Sequence, residues 1–373
     1  MNTENGNRTP IGLAIIGCGT IGKIRAEFAR DYPGVEWLGL CDINEKVGRK
    51  LADDTDADFF TTDYKELLAR PEVTASIIAT EENEHVGPIL ASVDGGHALF
   101  IEKPLATNAA DSARVLKAIE DAGLDAVVGY TQRFRRRFLV AKEKIRTGQL
   151  GDVTTVVTRA FMNRLVPIAT VEKTEYRGIL TPMVVSGTHS LDVCMWLMEG
   201  KTPVEVYARS MDKALGASYG TKDATLGIFT FDDGTIWSMN ISWALPTVWP
   251  GSVYSLEIGI VGTEGVLTID DTHRDLVLAS ENAQPAGYTP DVKRNVDFLT
   301  SYPPGDVVFE QLWGPMREET NAWFGRVYTG LETPHATVQD GHRNLLLTMA
   351  MDVSANRKEP VQLPMSINEY EEL

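Results

Sequence analysis

The chain has 373 residues, 43% of them apolar and 23% charged, a balance that excludes disordered and fibrous architectures and suits about two or three domains. Acidic residues number 52 and basic ones 35, and the net charge of −17 disfavours nucleic acid or an anionic membrane as partner. Cys18, Cys41 and Cys194 form neither a disulfide framework nor a metal-ligand spacing, and no metal site is expected.

Residues 1–10 read as a flexible polar lead with no apolar core of a signal peptide. No apolar run reaches the roughly 18–20 residues that span a bilayer, so a cytoplasmic location is expected. From Ile11 to about Tyr130, short apolar runs alternate with amphipathic segments. The runs are Ile11–Ile16, Trp37–Cys41, Ala75–Ala79, Ala98–Ile101 and Ala126–Gly129; the helical segments are Ile21–Arg30, Glu45–Leu51, Tyr64–Ala69 and Ala109–Ala122. Continuously apolar strands separated by helices predict a doubly wound parallel sheet over residues 11–130.

The pattern changes near Phe134. Arg135–Gly148 reads as one amphipathic helix. Strand-like runs follow at Val153–Phe161, Val204–Ser210, Ala224–Phe231, Thr235–Leu245, Val253–Val261 and Gly265–Ile269, with Asp233-Gly234 as a tight turn. Residues 131–373 are therefore expected to form a second, α+β domain on an open, mainly antiparallel sheet, with helix Thr188–Met198 packed on it. Asn163–Pro182 and Glu281–Pro304 read as long polar loops.

Gly17-Cys18-Gly19-Thr20-Ile21-Gly22 is a G-x-G-x-x-G between a strand and a helix. The first glycine permits the turn, the second admits a pyrophosphate, and the third lets the helix sit against the strand. Free N–H groups at the helix start, around Thr20 and Ile21, suit phosphate oxygens. Asp42 ends the second strand 20 positions after Gly22, where a carboxylate accepts from an adenosine ribose. Ile43 offers no cation for a 2′-phosphate, which favours NAD; Lys46 and Arg49 keep NADP open.

Lys103 follows the fifth strand in Glu102-Lys103-Pro104 and is expected at the mouth of the ligand crevice, where carboxyl ends of strands lie. Pro104 biases it to an extended backbone. Partial burial, or a neighbouring nicotinamide cation, would bring the amine into the working range of a base; the competing reading is a surface lysine. Gly187 to Trp196 reads as a helix start on which His189 and Asp192 share a face. A neutral imidazole there can bond a substrate hydroxyl, with Asp192 fixing its tautomer; the competing reading is a satisfied core histidine.

These residues together resemble the glucose–fructose oxidoreductase / inositol dehydrogenase (Gfo/Idh/MocA) family. The likeness rests on GCGTIG, Glu102-Lys103-Pro104, Val128-Gly129-Tyr130 with Arg133-Phe134, and the Gly187, His189, Asp192, Trp196 helix, all in family order. The resemblance implies that Lys103 is the acid/base and that His189 binds the substrate oxygen. It implies NAD-dependent oxidation of a secondary hydroxyl of a sugar, cyclitol or cyclic diol, or the reverse, by a homodimer or homotetramer built on the open sheet. It also places Arg133 near the site and aligns Thr80 and His85 with a coenzyme loop, although Glu81 and Glu82 replace the usual Pro-Asn. Glu102 and Lys103 complete the expected coenzyme contacts.

Val185 stands where many members carry an aspartate four residues before the histidine, so a polar substrate contact is lost. Arg133 and the loop residues Arg164, Lys173, Tyr176 and Arg177 would suit an acidic substrate if they face the crevice, and Arg133 and Tyr176 are the substrate contacts expected here. Arg135–Arg137 read as a solvated helix start. Trp237, Trp243 and Trp249 read as sheet packing or subunit contact. Two other functions fit the same motifs: a redox-neutral, NAD-retaining glycoside-processing enzyme, and a non-catalytic dinucleotide sensor.

Overall fold

The apolar run Ile11–Ile16 is buried along its whole length and forms an inner strand, β1, of one of two seven-stranded sheets. The computed structural model describes residues 8–172, 180–271, 276–286, 289–299 and 304–371. The chain divides into two compact units. One holds the described residues up to Phe134 with Val307–Leu345; the other holds those from Arg135 to Asp306 and from Leu346 onward.

In the first unit, β2 (Val35–Cys41), β3 (Phe59–Thr61), β4 (Ala75–Ile78), β5 (Ala98–Glu102) and β6 (Ala126–Gly129) join β1. The order is β6-β5-β4-β1-β2-β3, all parallel. Helices α1 (Thr20–Asp31), α2 (Glu45–Asp54), α3 (Tyr64–Leu68), α4 (Val86–Asp94) and α5 (Ala109–Ala122) connect them. Strand β1 shows why both faces are covered. Leu13 and Ile15 pack with Ala26, Phe28 and Ala29 of α1, while Ala14 and Ile16 share a cluster with Ile89, Val115 and Ile119 of α4 and α5. The strand order reverses between β1 and β4, the switch point at which doubly wound sheets bind ligands.

The boundary expected after residue 130, with everything beyond it in the second domain, differs from this division. Residues 307–345 belong with the first unit for two reasons. Helix Pro315–Thr329 buries Trp323 and Phe324 in the β1 cluster, and strand Ala336–Thr337 adds an antiparallel edge to β6.

The second unit opens with α6 (Arg136–Arg146), followed by β7 (Val153–Asn163). Helix α7 (Leu165–Val171) occupies part of the stretch read as a loop. A π-helical turn, Met183–Gly187, then runs into α8 (Thr188–Leu197). Strands β8 (Pro203–Met211), β9 (Ala224–Phe231), β10 (Ile236–Leu245), β11 (Val253–Gly262) and β12 (Val266–Asp271) complete the sheet in the order β12-β11-β7-β10-β9-β8. Only β7 and β10 run parallel within that set; strand Val361–Gln362 borders β8.

Alternation fixes the inner face. On β9, Phe229 and Phe231 are buried while Leu226 and Ile228 are exposed; on β10, Trp237, Met239, Ile241 and Trp243 are buried. Trp237 donates to Thr158 Oγ1 (3.0 Å) and Trp243 to Ser186 Oγ (2.9 Å), so both indoles are packing elements. The stretch Glu281–Pro304, read as a loop, instead contributes to a hairpin in which Leu276–Ala286 pairs antiparallel with Thr289–Leu299. Its first strand is largely exposed, with consecutive apolar residues (Leu276, Val277, Leu278) followed by polar ones (Ser280, Glu281, Asn282, Gln284), so neither face shows the period-two hydrophobic signal.

Asp352, on helix Val338–Arg357, is buried and accepts from Thr181 Oγ1 at 2.5 Å. Burial pushes its carboxyl from the ordinary 3.8 up to about 7. A carboxyl that holds its proton more tightly when folded stabilises the protein at low pH, and that stabilisation is lost as pH rises through about 7. The thermal midpoint of the wild type is therefore expected to fall relative to Asp352→Asn between about pH 4 and pH 8. Calorimetry across that range reads the difference; parallel curves would contradict it.

Candidate active site

The carboxyl edge of the first sheet gathers the sequence-predicted coenzyme residues. Gly17 lies at φ 97°, open to glycine at little cost, and its N–H donates to the Cys41 carbonyl at 2.8 Å. The Cys18 N–H donates to Asp42 Oδ2 at 2.7 Å, and the Asn44 N–H to Asp42 Oδ1 at 2.7 Å. Asp42 thus braces the turn from the position at which the sequence leads one to expect the ribose. Beneath it, burial and the nearby Asp42 charge push the thiols of Cys18 and Cys41 up to about 12, so neither is a nucleophile at neutral pH.

Helix α1 starts at Thr20. Gly19 caps it without a side-chain hydrogen bond, and its first turn holds no acidic residue, which leaves the helix dipole available to an anion. A Cβ at Gly22 would lie 1.8 Å from the Gly17 carbonyl oxygen, whereas a Cβ at Gly19 would meet nothing within 4 Å. The third glycine is required for close packing, and the second borders open space. Thr80 follows β4, and its Oγ1 is buried with no hydrogen-bond partner among the described residues. An open cradle at a helix start, a ribose-position carboxylate and a partnerless hydroxyl are what a dinucleotide would satisfy, so the residues fit the coenzyme. Ile43 is 94% exposed at the position where a 2′-phosphate would need a cation. Arg49 is ion-paired with Glu45 (2.7 Å), although Lys46 is exposed.

Lys103 is half-buried immediately after β5, between Glu102 and buried Pro104, joined by a cis Lys103–Pro104 peptide. Glu102 was expected among the coenzyme contacts; its Oε1 is engaged by Arg25 Nε (3.0 Å). Arg25 is fully buried and also bonds Glu319 Oε2 (2.7 Å), the Met316 carbonyl and Thr320. Burial pushes the Glu319 carboxyl up to about 7, against the pull of Arg25. His85 stands at the N-cap position of α4, but its side chain makes no capping hydrogen bond. It is buried, with Nδ1 2.8 Å from the Pro104 carbonyl oxygen and Nε2 3.2 Å from that of Thr80, and burial holds its pKa below the ordinary value. Its contact with the coenzyme loop is through the backbone.

Arg133, expected at the substrate, is buried in the 3₁₀ turn Thr131–Phe134. Its guanidinium pairs with Asp340 (3.1 Å) and donates to the His335 carbonyl (3.4 Å), so the structure gives it a bracing role within the first unit. Arg164 donates to the carbonyls of Ala244 and Leu245. Arg136 and Arg137 are exposed. Tyr176, with Lys173 and Arg177, lies outside the described residues.

In the second unit His189 is half-buried and Asp192 is buried, three apart on α8. The helix does not begin at Gly187 as read from the sequence. The Thr188 N–H already bonds the carbonyls of Met183 and Ser186, so the π turn extends the helical run and His189 sits one turn inside it. A helix dipole favours a neutral imidazole at a helix start, and one turn inside the run that influence is weaker. Val185, within that turn, packs with Val171, Leu215 and Trp243.

Sequence reasoning missed Arg25, Glu319 and Asp340. Arg25 carried a signal, because it shares the buried stripe of α1 with Gly22, Ala26 and Ala29, and a charge in an apolar stripe implies a buried partner. Glu319 and Asp340 lie about 200 residues or more from their partners, and no local pattern marks them.

A doubly wound sheet with this turn, acid and strand-end lysine defines a nicotinamide-dinucleotide oxidoreductase. The chain belongs to the GFO/IDH/MocA family: residues 11–130 match its model for the "Oxidoreductase family, NAD-binding Rossmann fold" and residues 138–268 its C-terminal domain. The coenzyme is NAD. Among similar proteins, an inositol 2-dehydrogenase of Gluconacetobacter diazotrophicus is 32% identical over 55% of this chain and 60% of its own length. A myo-inositol 2-dehydrogenase of Thermotoga maritima is 24% identical over 94% of this chain and 98% of its own. The solved scyllo-inositol dehydrogenase of Lactobacillus casei, 18% identical, covers 96% of this chain and 100% of its own with a TM-score of 0.78, and shares the fold. No helix among the described residues is long and apolar enough to cross a membrane.

The glycine geometry separates coenzyme binding from folding. Gly19→Ala is expected to keep its melting temperature while weakening NAD binding at least about tenfold, because the methyl enters the space left for phosphate. Gly22→Ala is expected to destabilise the fold by about 1–3 kcal/mol through overpacking. Calorimetry and coenzyme titration distinguish the two; equal NAD affinity in Gly19→Ala would contradict the placement.

Proposed function

We propose that the protein oxidises a secondary hydroxyl of a cyclitol or a related cyclic diol to the ketone with NAD⁺, reversibly. One observation carries the reading. Lys103 leaves β5 on the same sheet edge that presents the Gly17–Gly22 turn, Asp42 and Thr80, so an amine that can take a proton lies along the edge built for the coenzyme. The names of the relatives, inositol dehydrogenases in two cases, support the substrate class.

In this reading the Lys103 amine takes the hydroxyl proton as the carbinol C–H bond breaks. Bound NAD⁺ supplies the acceptor for that hydride. Products are ketone, NADH and a protonated Lys103, which passes its proton to solvent. His189 holds the reacting oxygen, and Asp192, buried one turn along α8, supports the imidazole. Val185 gives the substrate an apolar neighbour in place of a carboxylate, which favours a ring with fewer hydroxyls on that side. The resident groups perform proton transfer and orientation, and no metal is called for.

Lys103→Ala is expected to lower turnover at least about 10³-fold and to leave NAD affinity within about threefold, because the lysine acts on the proton in the transition state. The measurement is NADH absorbance over a panel of myo-inositol, scyllo-inositol, deoxycyclitols, aldoses and cyclic dihydrodiols. Undiminished turnover in the variant would remove Lys103 from the chemistry; product without NADH would favour the redox-neutral reading.

We also propose that copies of the chain associate through the outer face of the second sheet. Tyr207, Leu226, Ile228 and Val157, on β8, β9 and β7, are 37–50% exposed, an apolar stripe of the kind that marks an interface. Ile228→Glu with Leu226→Lys is expected to reduce the molar mass measured by light scattering; a monomeric wild type would contradict the proposal.

A further inference from the structure

We propose that Arg25 and His85 are positioning residues that hold Lys103 in place by fastening the residues on either side of it. The inference deepens the reading above and rests on it. Lys103 is a long, flexible side chain, so the placement of its amine depends on the backbone that carries it. The structure secures that backbone from both directions.

On the amino side, Arg25 reaches Glu102 through Nε (3.0 Å) and Nη2 (2.8 Å). The same guanidinium spends its remaining donors on Glu319 Oε2 (2.7 Å), the Met316 carbonyl (3.3 Å) and the Thr320 hydroxyl, and lies 4.3 Å from the Phe100 ring centroid. Thr131 Oγ1 donates to Glu319 Oε2 at 2.9 Å and fixes the far carboxylate. A planar fork with five donors matches this arrangement; an ammonium does not. On the carboxyl side, the His85 ring spans the Pro104 carbonyl (2.8 Å) and the Thr80 carbonyl (3.2 Å). Both partners are acceptors and a neutral ring has one N–H, so the shorter contact, to Pro104, is the assigned donor bond.

The other ends of the two braces matter equally. Arg25 belongs to α1, whose amino end forms the phosphate cradle. His85 touches the segment after β4 that carries the partnerless Thr80 hydroxyl. Each side chain therefore links a coenzyme-facing element to a residue adjoining Lys103. A simple fold brace has no reason to converge on consecutive neighbours of one lysine from two such elements. A displacement of about 1 Å at a reacting group can cost 10²-fold in rate, which sets the expected scale.

The test uses the full chain with myo-inositol and NAD⁺, and the variants Arg25→Lys, His85→Leu and His85→Gln. For Arg25→Lys and His85→Leu, kcat is expected to fall about 30-fold or more, while KM and the dissociation constant of NAD stay within about threefold; His85→Gln, which keeps a donor, recovers most of the loss. In the Lys103→Ala background both variants lose little further activity, because they act through Lys103. Hydrogen exchange of the segment 102–106, read without substrate, is expected to quicken about tenfold while β1 stays protected. Wild-type kcat with unchanged exchange in the folded variants would overturn the inference, as would a full additional loss in the Lys103→Ala background. If Arg25→Lys does not fold, the His85 pair decides. Full activity in Lys103→Ala would instead overturn the proposed function, whereas an inactive Lys103→Ala beside wild-type-like Arg25→Lys and His85→Leu would overturn this inference alone.

Discussion

Close backbone packing between α1 and β1 is the constraint on which the coenzyme site depends. A methyl group on Gly22 would stand 1.8 Å from the Gly17 carbonyl oxygen, so the helix can approach the strand only because that side chain is missing. The approach brings the start of α1 to the carboxyl edge of the sheet with its dipole directed at the switch point between β1 and β4. Asp42 reinforces the turn through the Cys18 N–H, which couples the ribose position to the phosphate position in one hydrogen bond. Arg25, farther along the same helix, extends the coupling to Glu102 and hence to the strand end that bears Lys103.

The second unit solves a different problem. Its sheet keeps one face for packing and leaves Leu226, Ile228 and Val157 on the other, as an antiparallel sheet with a single covered side does. The π turn Met183–Gly187 lengthens the helical run before α8 and changes the setting of His189 from a helix start to a helix interior. Such turns often accompany functional residues, because they shift the register of the side chains that follow. Val185 lies in this turn and joins an apolar cluster with Trp243.

Much of this was legible in the sequence because the signals were local. The strand, glycine turn and helix around Gly17, the acid at Asp42 and the strand-end Lys103 fall within short windows where periodicity and turn chemistry agree. The hairpin of Leu276–Ala286 and Thr289–Leu299 was not legible, since its largely exposed first strand has no buried face to impose alternation. Arg133 shows a different limit. A cation at a junction motif suggested substrate, and its partner Asp340, more than 200 residues later, left no local mark in the sequence. The return of residues 307–345 to the first unit is of the same kind, because Trp323 and Phe324 find their cluster only after the chain has passed through the second unit. Long-range partners decide what a charged residue does, and sequence spacing does not record them.

The proposed chemistry turns on one contact within the first unit: the Lys103 amine meets the substrate oxygen while its carbon faces the nicotinamide ring. A crystal structure of the protein with NADH and the ketone it reduces measures this directly. The expected result is Nζ of Lys103 within about 2.6–3.2 Å of that oxygen. An oxygen held by other groups, with Lys103 turned away from it, would contradict the account.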